Sequence, residues 1–350
     1  MPEASAREPA LRLVSVTVDY GIKQGFLGRR RMLRAVDGVS LDVAPGEILG
    51  LVGESGSGKS TVGRIAIGSE PPWSGRVEID GKAVPAIDSP AWRDQRRVVQ
   101  VVQQDPESAL NPQRRIGGQV EEALVIHRIG NAGQRRERVR AMLSAVAMES
   151  YADRYPHQLS GGQLQRVAIA RALVLDPNVV VCDEPVSALD VSVQAQVINL
   201  LQDLQQKLNL AILFISHDLG IVRHVSHRIA VMYLGRIVEL GPSDQIFESP
   251  RHPYTQALLS AIPASTPWQR RQRIRLSGEP PSPLDPPPGC TFHPRCAFAA
   301  AKCATAVPPL VLDGERSTAC HFWREIAAGS HSRTGRPAGG ADHTSPWERT

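Results

Sequence analysis

The sequence predicts an α/β fold in which a buried parallel sheet presents a phosphate-binding loop. Three observations carry this. Gly53-Glu54-Ser55-Gly56-Ser57-Gly58-Lys59-Ser60-Thr61 fits G-x-x-x-x-G-K-[ST]. It follows the apolar run Ile48–Val52 and precedes a helix-compatible stretch, the strand–loop–helix context the motif requires. Val179–Cys182 and Ala211–Ile215 are continuous apolar runs, as expected of parallel strands covered on both faces. Helical spacing is strong elsewhere: Val193, Val197, Leu200, Leu201, Leu204 and Leu208 share one face.

The elements follow in chain order. Residues 11–80 read as β-rich, with a strand over Leu11–Val18 and another between Gly75 and Gly81. Between them the Arg-rich, Gly-punctuated stretch Gly21–Arg34 reads as a solvated loop around Arg29–Arg31. From Gln119 to Met148 the spacing is helical, with Val139, Met142, Leu143 and Val146 on one face. Six of the nine residues from Pro280 to Pro288 are proline, which excludes helix and central strand and marks a linker. Cys290, Cys296, Cys303 and Cys320 follow, then a Gly/Ser/Thr/His-rich tail expected to be disordered.

Length and composition bound the rest. At 350 residues, 42% hydrophobic and 21% charged, the chain has material for a packed core and about two domains. A net charge of +5 is modest and scattered, so nucleic acid is not an expected partner. Arg270–Arg275 is basic but lacks interleaved aromatics and reads as a solvated face. The start Met1-Pro2-Glu3-Ala4-Ser5 lacks a secretory pattern, and no apolar run approaches the roughly 20 residues of a bilayer span. The expectation is a soluble cytosolic chain that reaches a membrane only by docking.

The chemistry starts at the glycine-rich loop. Its backbone N–H groups turn inward around an anion, and the following helix adds its positive end. Lys59 reaches the β- and γ-phosphates and Ser60 ligates Mg²⁺. Asp183 and Glu184 close the apolar strand after Val179. The first holds the metal through water and the second polarises the attacking water. Leu159-Ser160-Gly161-Gly162-Gln163 is a second anion cradle, a Ser hydroxyl and glycine N–H groups at a helix start. One nucleotide does not need two cradles, so the second serves a nucleotide held by another subunit.

With these residues in place, the chain resembles the ATP-binding subunits of ABC transporters over about residues 11–325. Leu159–Gln163 matches the family signature without departure. The resemblance places Gln104 on the loop that touches Mg²⁺ and the attacking water and reports to the membrane subunits. It places Ser187-Ala188-Leu189-Asp190 on the loop crossing the dimer interface, with Asp190 at the nucleotide, and His217 at the γ-phosphate. Tyr20 matches the aromatic that stacks on adenine, with Phe26 as a competitor. The implied architecture is a RecA-like P-loop nucleotide-binding domain with an antiparallel β subdomain, a helical insertion and a small C-terminal cysteine module. Its expected boundaries are 1–265 for the ATPase domain, with the insertion at about 105–158, 266–289 for the linker, 290–325 for the cysteine module and 326–350 for the tail.

Ala35–Ser40, Gly53–Gly56 and Arg251-His252-Pro253-Tyr254-Thr255-Gln256-Ala257-Leu258-Leu259 narrow the likeness to the dipeptide/oligopeptide and nickel importers. Gly25–Arg31 and Glu239–Pro242 look most like the F-type member of their two-ATPase pair. The resemblance implies a second ATPase subunit, a heterodimer, two transmembrane permease subunits and an extracytoplasmic solute-binding protein, with this chain peripheral on the cytoplasmic membrane face. Peptide import is the expected work. Nickel or another solute is the alternative, and a non-transport ATPase a remote one.

The cysteines sit in a C-x5-C-x6-C-x16-C pattern. Clustered thiols in a cytosolic chain suit metal, and four thiolates suit an iron–sulfur cluster or Zn²⁺. The likeness implies [4Fe-4S]; zinc and free thiols stay open. Cys182, inside its strand, reads as core.

Overall fold

The computed structural model describes residues 8–23, 30–262, 273–276 and 278–331. Its strands are β1 (Leu11–Lys23), β2 (Arg30–Val43), β3 (Ile48–Val52), β4 (Ser74–Ile79), β5 (Lys82–Ala83) and β6 (Val99–Val102). They continue with β7 (Val179–Asp183), β8 (Ala211–Ile215), β9 (Arg228–Tyr233), β10 (Arg236–Pro242), β11 (Val311–Asp313) and β12 (Arg316–Thr318). Among the described residues they form a four-stranded antiparallel sheet, β2-β1-β4-β5, and an eight-stranded sheet, β11-β12-β10-β9-β3-β8-β7-β6. Within the larger sheet β9, β3, β8, β7 and β6 run parallel.

Strand periodicity sorts the buried runs into two cores. Ile48, Val52, Val180, Cys182, Ile212 and Phe214 pack toward the helices. Leu49, Leu51, Val179, Val181, Leu213 and Ile215 pack toward β1, β2 and β4 and the helix after the phosphate loop. The continuous apolar runs therefore serve both faces of one sheet, as their sequence implied.

The first seven helices are α1 (Lys59–Ala66), α2 (Pro90–Val98), α3 (Pro106–Ala109), α4 (Ile116–Ile126), α5 (Ala132–Ala145), α6 (Gly161–Leu173) and α7 (Val191–Leu208). The helical stretch expected from Gln119 to Met148 is two helices rather than one. Gly130 turns at φ +62°, and Asn131 then caps α5 in a reciprocal capping box with Gln134. Val139, Leu143 and Val146 are buried as expected, and Met142 packs against them half-exposed. In α7, Val197, Leu201 and Leu204 are buried while Leu208 is exposed at the end.

Two further expectations differ. The Arg-rich stretch is not simply a loop: Gly21 pairs with Met32 and Ile22 with Arg31, so β1 and β2 extend into it as a hairpin. Residues 24–29, Phe26 included, lie outside the described residues, as do Arg270, Arg271 and Gln272. The tail expected from 326 begins with structured chain. A short helix Trp323–Ala327 runs through that point, and the His331 ring stacks on Phe322 at 4.5 Å. Residues 332–350 lie outside the described residues.

The C-terminal hairpin joins the main sheet, β12 pairing with β10 and β11 forming the outer edge. A buried ion pair secures it. Glu239, fully buried, accepts from Arg316 Nη2 at 2.7 Å and from the backbone N–H groups of Arg251 and His252 at 2.9 Å each. Arg316 also donates to Ser249 Oγ and to the Ser249 carbonyl. Removing one partner strands the other charge in the interior. Glu239→Ala is expected to cost about 3–5 kcal/mol, read as a lower denaturant midpoint at unchanged slope.

His252 is enclosed beside this pair, and burial lowers its pKa from 6.5 to about 3. The folded ring stays neutral while the unfolded one takes up a proton. This stability is complete above pH 6.5 and is lost as pH falls toward 3, at up to about 1.4 kcal/mol per pH unit. Denaturation of His252→Gln at pH 4–7 should show a shallower pH slope than the native chain.

Candidate ATP site

Topology collects the site. β3, β8, β7 and β6 are parallel neighbours, and the segments leaving their C-terminal ends hold, in order, the glycine-rich loop, His217, Asp183-Glu184 and Gln104. Residues scattered over more than a hundred positions thus share one edge of the sheet, where open α/β sheets place their ligands.

The loop is built by backbone constraint. Gly58 sits at φ +105°, and a Cβ there would lie 2.2 Å from the Ala35 carbonyl oxygen. Only glycine fits. Lys59 is buried and folds back over the loop, donating to the carbonyls of Gly53 at 2.8 Å and Glu54 at 2.9 Å, with Ser57 Oγ at 3.5 Å. Burial lowers its pKa, opposed by Glu184, Asp183 and Glu54. Ser55 and Gly56 are exposed at the loop tip, Ser57 and Thr61 are buried, and Gly53 is buried at its root.

The expected metal-holding pair is in contact: Ser60 Oγ donates to Asp183 Oδ1 at 3.2 Å. Desolvation raises the Asp183 pKa, offset in part by that hydrogen bond and raised further by Glu184. A carboxylate crowded in this way gains from a cation, so the oxygen donors present suit Mg²⁺. Glu184 is held at φ +49°, a left-handed conformation uncommon for a side-chain-bearing residue. Its Oε1 lies 3.0 Å from His217 Nδ1. Gln104 is exposed in the loop after β6. Tyr20, on β1, accepts a hydrogen bond from Arg64 of α1 at 3.4 Å, beside the loop's helix.

The signature stands apart on α6. Ser160 and Gln163 form a capping box, Gln163 Oε1 accepting from the Ser160 N–H at 2.9 Å. Gly161 packs on Leu189, and a Cβ on Gly162 would meet Val193 Cγ1 at 2.3 Å. Asp190 caps α7, its carboxylate accepting from the Val193 N–H at 3.0 Å and Ser192 Oγ at 2.8 Å, with its pKa lowered chiefly by the former. The Leu159–Gln163 segment, Leu189 and the start of α7 are therefore one packed unit.

The cysteine cavity is lined by Cys290, Cys296, Cys303 and Cys320 with the rings of Phe292, Phe298 and Phe322. A repeat unnoticed in the sequence explains the lining: Cys290-Thr291-Phe292, Cys296-Ala297-Phe298 and Cys320-His321-Phe322 are each Cys-x-Phe. In the second, the Phe298 N–H donates to Cys296 Sγ at 3.4 Å, and in each the Phe N–H two residues on works against burial to lower the thiol pKa. Burial raises the thiol pKa, for Cys296 and Cys320 to about 12. Cys182 is fully buried in β7, as expected of core. Among the described residues, no three His, Cys, Asp or Glu side chains are grouped to hold a single metal ion.

Sequence reading named Glu54 and Tyr254 only within family-marking segments and missed Arg295 and the contacts that join the three. Tyr254 Oη accepts the Glu54 N–H at 2.9 Å, so the Arg251–Leu259 segment buttresses the phosphate loop. Its signal was an aromatic in a distant peptide, which no local motif connects to the loop.

Comparison decides the family. The ABC transporter family model matches residues 36–187, and the model for the oligopeptide/dipeptide transporter C-terminal region matches 238–303. The dipeptide transport ATP-binding protein DppF of Escherichia coli K12 is 49% identical over 319 residues, 91% of this chain and 96% of that protein. The di/tripeptide transport protein DppF of Pseudomonas aeruginosa is 47% identical over 315 residues, 90% and 98%. This chain belongs to the ATP-binding subunits of ABC transporters. Among solved structures, cbiO1 of Clostridium perfringens, part of the ABC transporter complex cbiONQ, superposes with TM-score 0.61 at 28% identity, covering 69% of this chain and 92% of that one. The cassette MJ0796, dimeric and bound to ADP and Pi, gives 0.59 at 31%, covering 67% and 98%. The chain is an ABC transporter ATPase.

The Gly162–Val193 contact is directly testable. Gly162→Ala should destabilise the chain by about 1–3 kcal/mol through overpacking, and Val193→Ala added to it should recover most of the loss in denaturation midpoints.

Proposed function

We propose that this chain drives import of peptides by hydrolysing ATP as the F-type ATPase of a peptide ABC transporter. The observation that carries the reading is the paired contact at one sheet edge, Ser60 with Asp183 and Glu184 with His217, beside the Lys59 loop. Loop N–H groups and Lys59 bind the phosphates. Ser60 and Asp183 would hold Mg²⁺, which would supply positive charge to neutralise the phosphates. Glu184 takes the proton side of the attacking water, and His217, hydrogen-bonded to it, steadies that carboxylate near the γ-phosphate. Gln104 reaches the same edge from β6, and Tyr20 offers the ring for adenine. The Ser160–Gln163 cradle completes the site of a second ATPase subunit, with Asp190 crossing between them, in keeping with the dimeric cassette of similar fold.

Peptide as the solute is supported by the relatives' names and by the 238–303 match. Membership of the same family supports permease subunits and a solute-binding protein as partners, with this chain docked on the cytoplasmic membrane face. Among the described residues no helix is long and apolar enough to cross a membrane. Val125 and Ile126, 51% and 69% exposed at the end of α4, give the helical insertion an apolar contact for a membrane subunit. The reading keeps the division into an ATPase domain at 1–265, a linker at 266–289 and a cysteine module at 290–325.

We propose the cysteine cavity as the site of a [4Fe-4S] cluster, with zinc as the alternative. A single zinc draws four sulfurs to about 2.3 Å from one point, whereas a four-iron cluster bonds each thiolate at its own corner. Donation from the Phe298 N–H to Cys296 Sγ suits such a thiolate ligand.

Glu184→Gln should retain ATP binding but lower phosphate release by the purified transporter by roughly 10²–10⁴-fold. Turnover at the native rate would remove Glu184 from the role. Anaerobically purified chain should carry iron and sulfide in about fourfold excess over polypeptide, lost in Cys296→Ser. One zinc without iron would replace the cluster by a structural ion.

A further inference from the structure

The mechanism leaves one half-buried contact with the phosphate loop unused. Glu54, the second residue of the loop, is gripped in a fork by Arg295: Nη1 donates to Oε2 at 2.8 Å and Nη2 to Oε1 at 3.2 Å. Arg295 is 8% exposed and belongs to the cysteine-rich segment, directly before Cys296. The same Nη1 lies 3.4 Å from Tyr233 Oη. Tyr233, Tyr254 and Phe292 pack against one another beside the fork in tilted and edge-to-face contacts, with ring centroids 4.6–5.4 Å apart. An enclosed bidentate fork of this kind is strong and geometrically specific.

The fork is tied to the thiols through backbone. Arg295 closes the turn His293–Arg295, in which the His293 N–H bonds the Cys290 carbonyl at 2.9 Å and the Arg295 N–H bonds that of Phe292 at 3.0 Å. Cys290 and Cys296 bracket this turn, so their positions set where the guanidinium points.

A carboxylate inside an ATP-binding loop is an electrostatic problem. The ligand is a polyanion, and an unpaired Glu54 would repel it. Glu54 also supplies one of the carbonyls that hold Lys59. We propose that Arg295 is a positioning residue of the ATP site, neutralising Glu54 and fixing the phosphate loop, and that through it the thiol cavity sets nucleotide affinity. The proposal rests on the ATP reading above. It assigns the cysteine segment a role at the nucleotide, 241 residues away in sequence.

Equilibrium binding of a fluorescent ATP analogue with Mg²⁺ to the full-length chain tests it. Arg295→Met should weaken binding roughly tenfold. Adding Glu54→Gln to Arg295→Met removes the stranded charge and should restore most of that loss. Arg295→Lys, which keeps the charge and loses the fork, should fall within about threefold of the native chain. Cys296→Ser should weaken binding in the native background but add little to Arg295→Met. Native affinity in Arg295→Met overturns the proposal, and a double variant as weak as the single overturns the charge mechanism. Additive effects of Cys296→Ser and Arg295→Met overturn the link to the thiols. A native chain that binds no nucleotide, or binds it equally well as Lys59→Ala, overturns the ATP reading itself and this proposal with it.

Discussion

Parallel register between β3, β8 and β7 is the constraint on which the rest depends. Leu51 lies opposite Ile215, and Ile215 opposite Asp183, so the phosphate loop, the His217 segment and the Asp183-Glu184 pair leave the sheet at one level. Slipping any of these strands by one residue would turn its side chains to the wrong core and carry its loop out of line. Catalytic geometry here is secured by hydrophobic burial well below it. The apolar runs hold the register, and the polar groups above only complete it.

Onto this frame the C-terminal residues add a second layer of constraint. The Glu239–Arg316 pair locks β12 to β10, and Phe292 places an aromatic edge against Tyr233 at the end of β9. β9 itself neighbours β3. The cysteine segment is therefore anchored to the strands that flank the phosphate loop. Its matched family region, 238–303, spans β10, the Arg251–Leu259 segment and most of the cysteines, all of which meet in this packing.

Much of this was legible in the sequence. The glycine-rich loop, the acidic pair after Val179 and the signature are local patterns whose chemistry fixes their spacing, and each falls on the expected element. Continuous apolar runs announced the parallel strands. Local punctuation was underread: Gly130-Asn131 marks a helix stop and start, and Gly314-Glu315 between β11 and β12, with Gly at the first turn position, is a hairpin turn signal. The Arg295–Glu54 fork was not legible. A single arginine and a single glutamate carry no period, and only the folded sheet brings them together. The threefold Cys-x-Phe pattern could have been found, because a backbone N–H two residues past each sulfur is a local feature.

The distance of that fork along the chain has a consequence for biosynthesis. At typical translation rates of roughly 5–20 residues per second, the loop carboxylate waits on the order of 10–50 s for its guanidinium partner. During that time the nucleotide loop exists without its clamp. Full affinity for nucleotide becomes a property of the finished polypeptide, and chains truncated before Arg295 leave the ribosome with a loop that holds its ligand poorly.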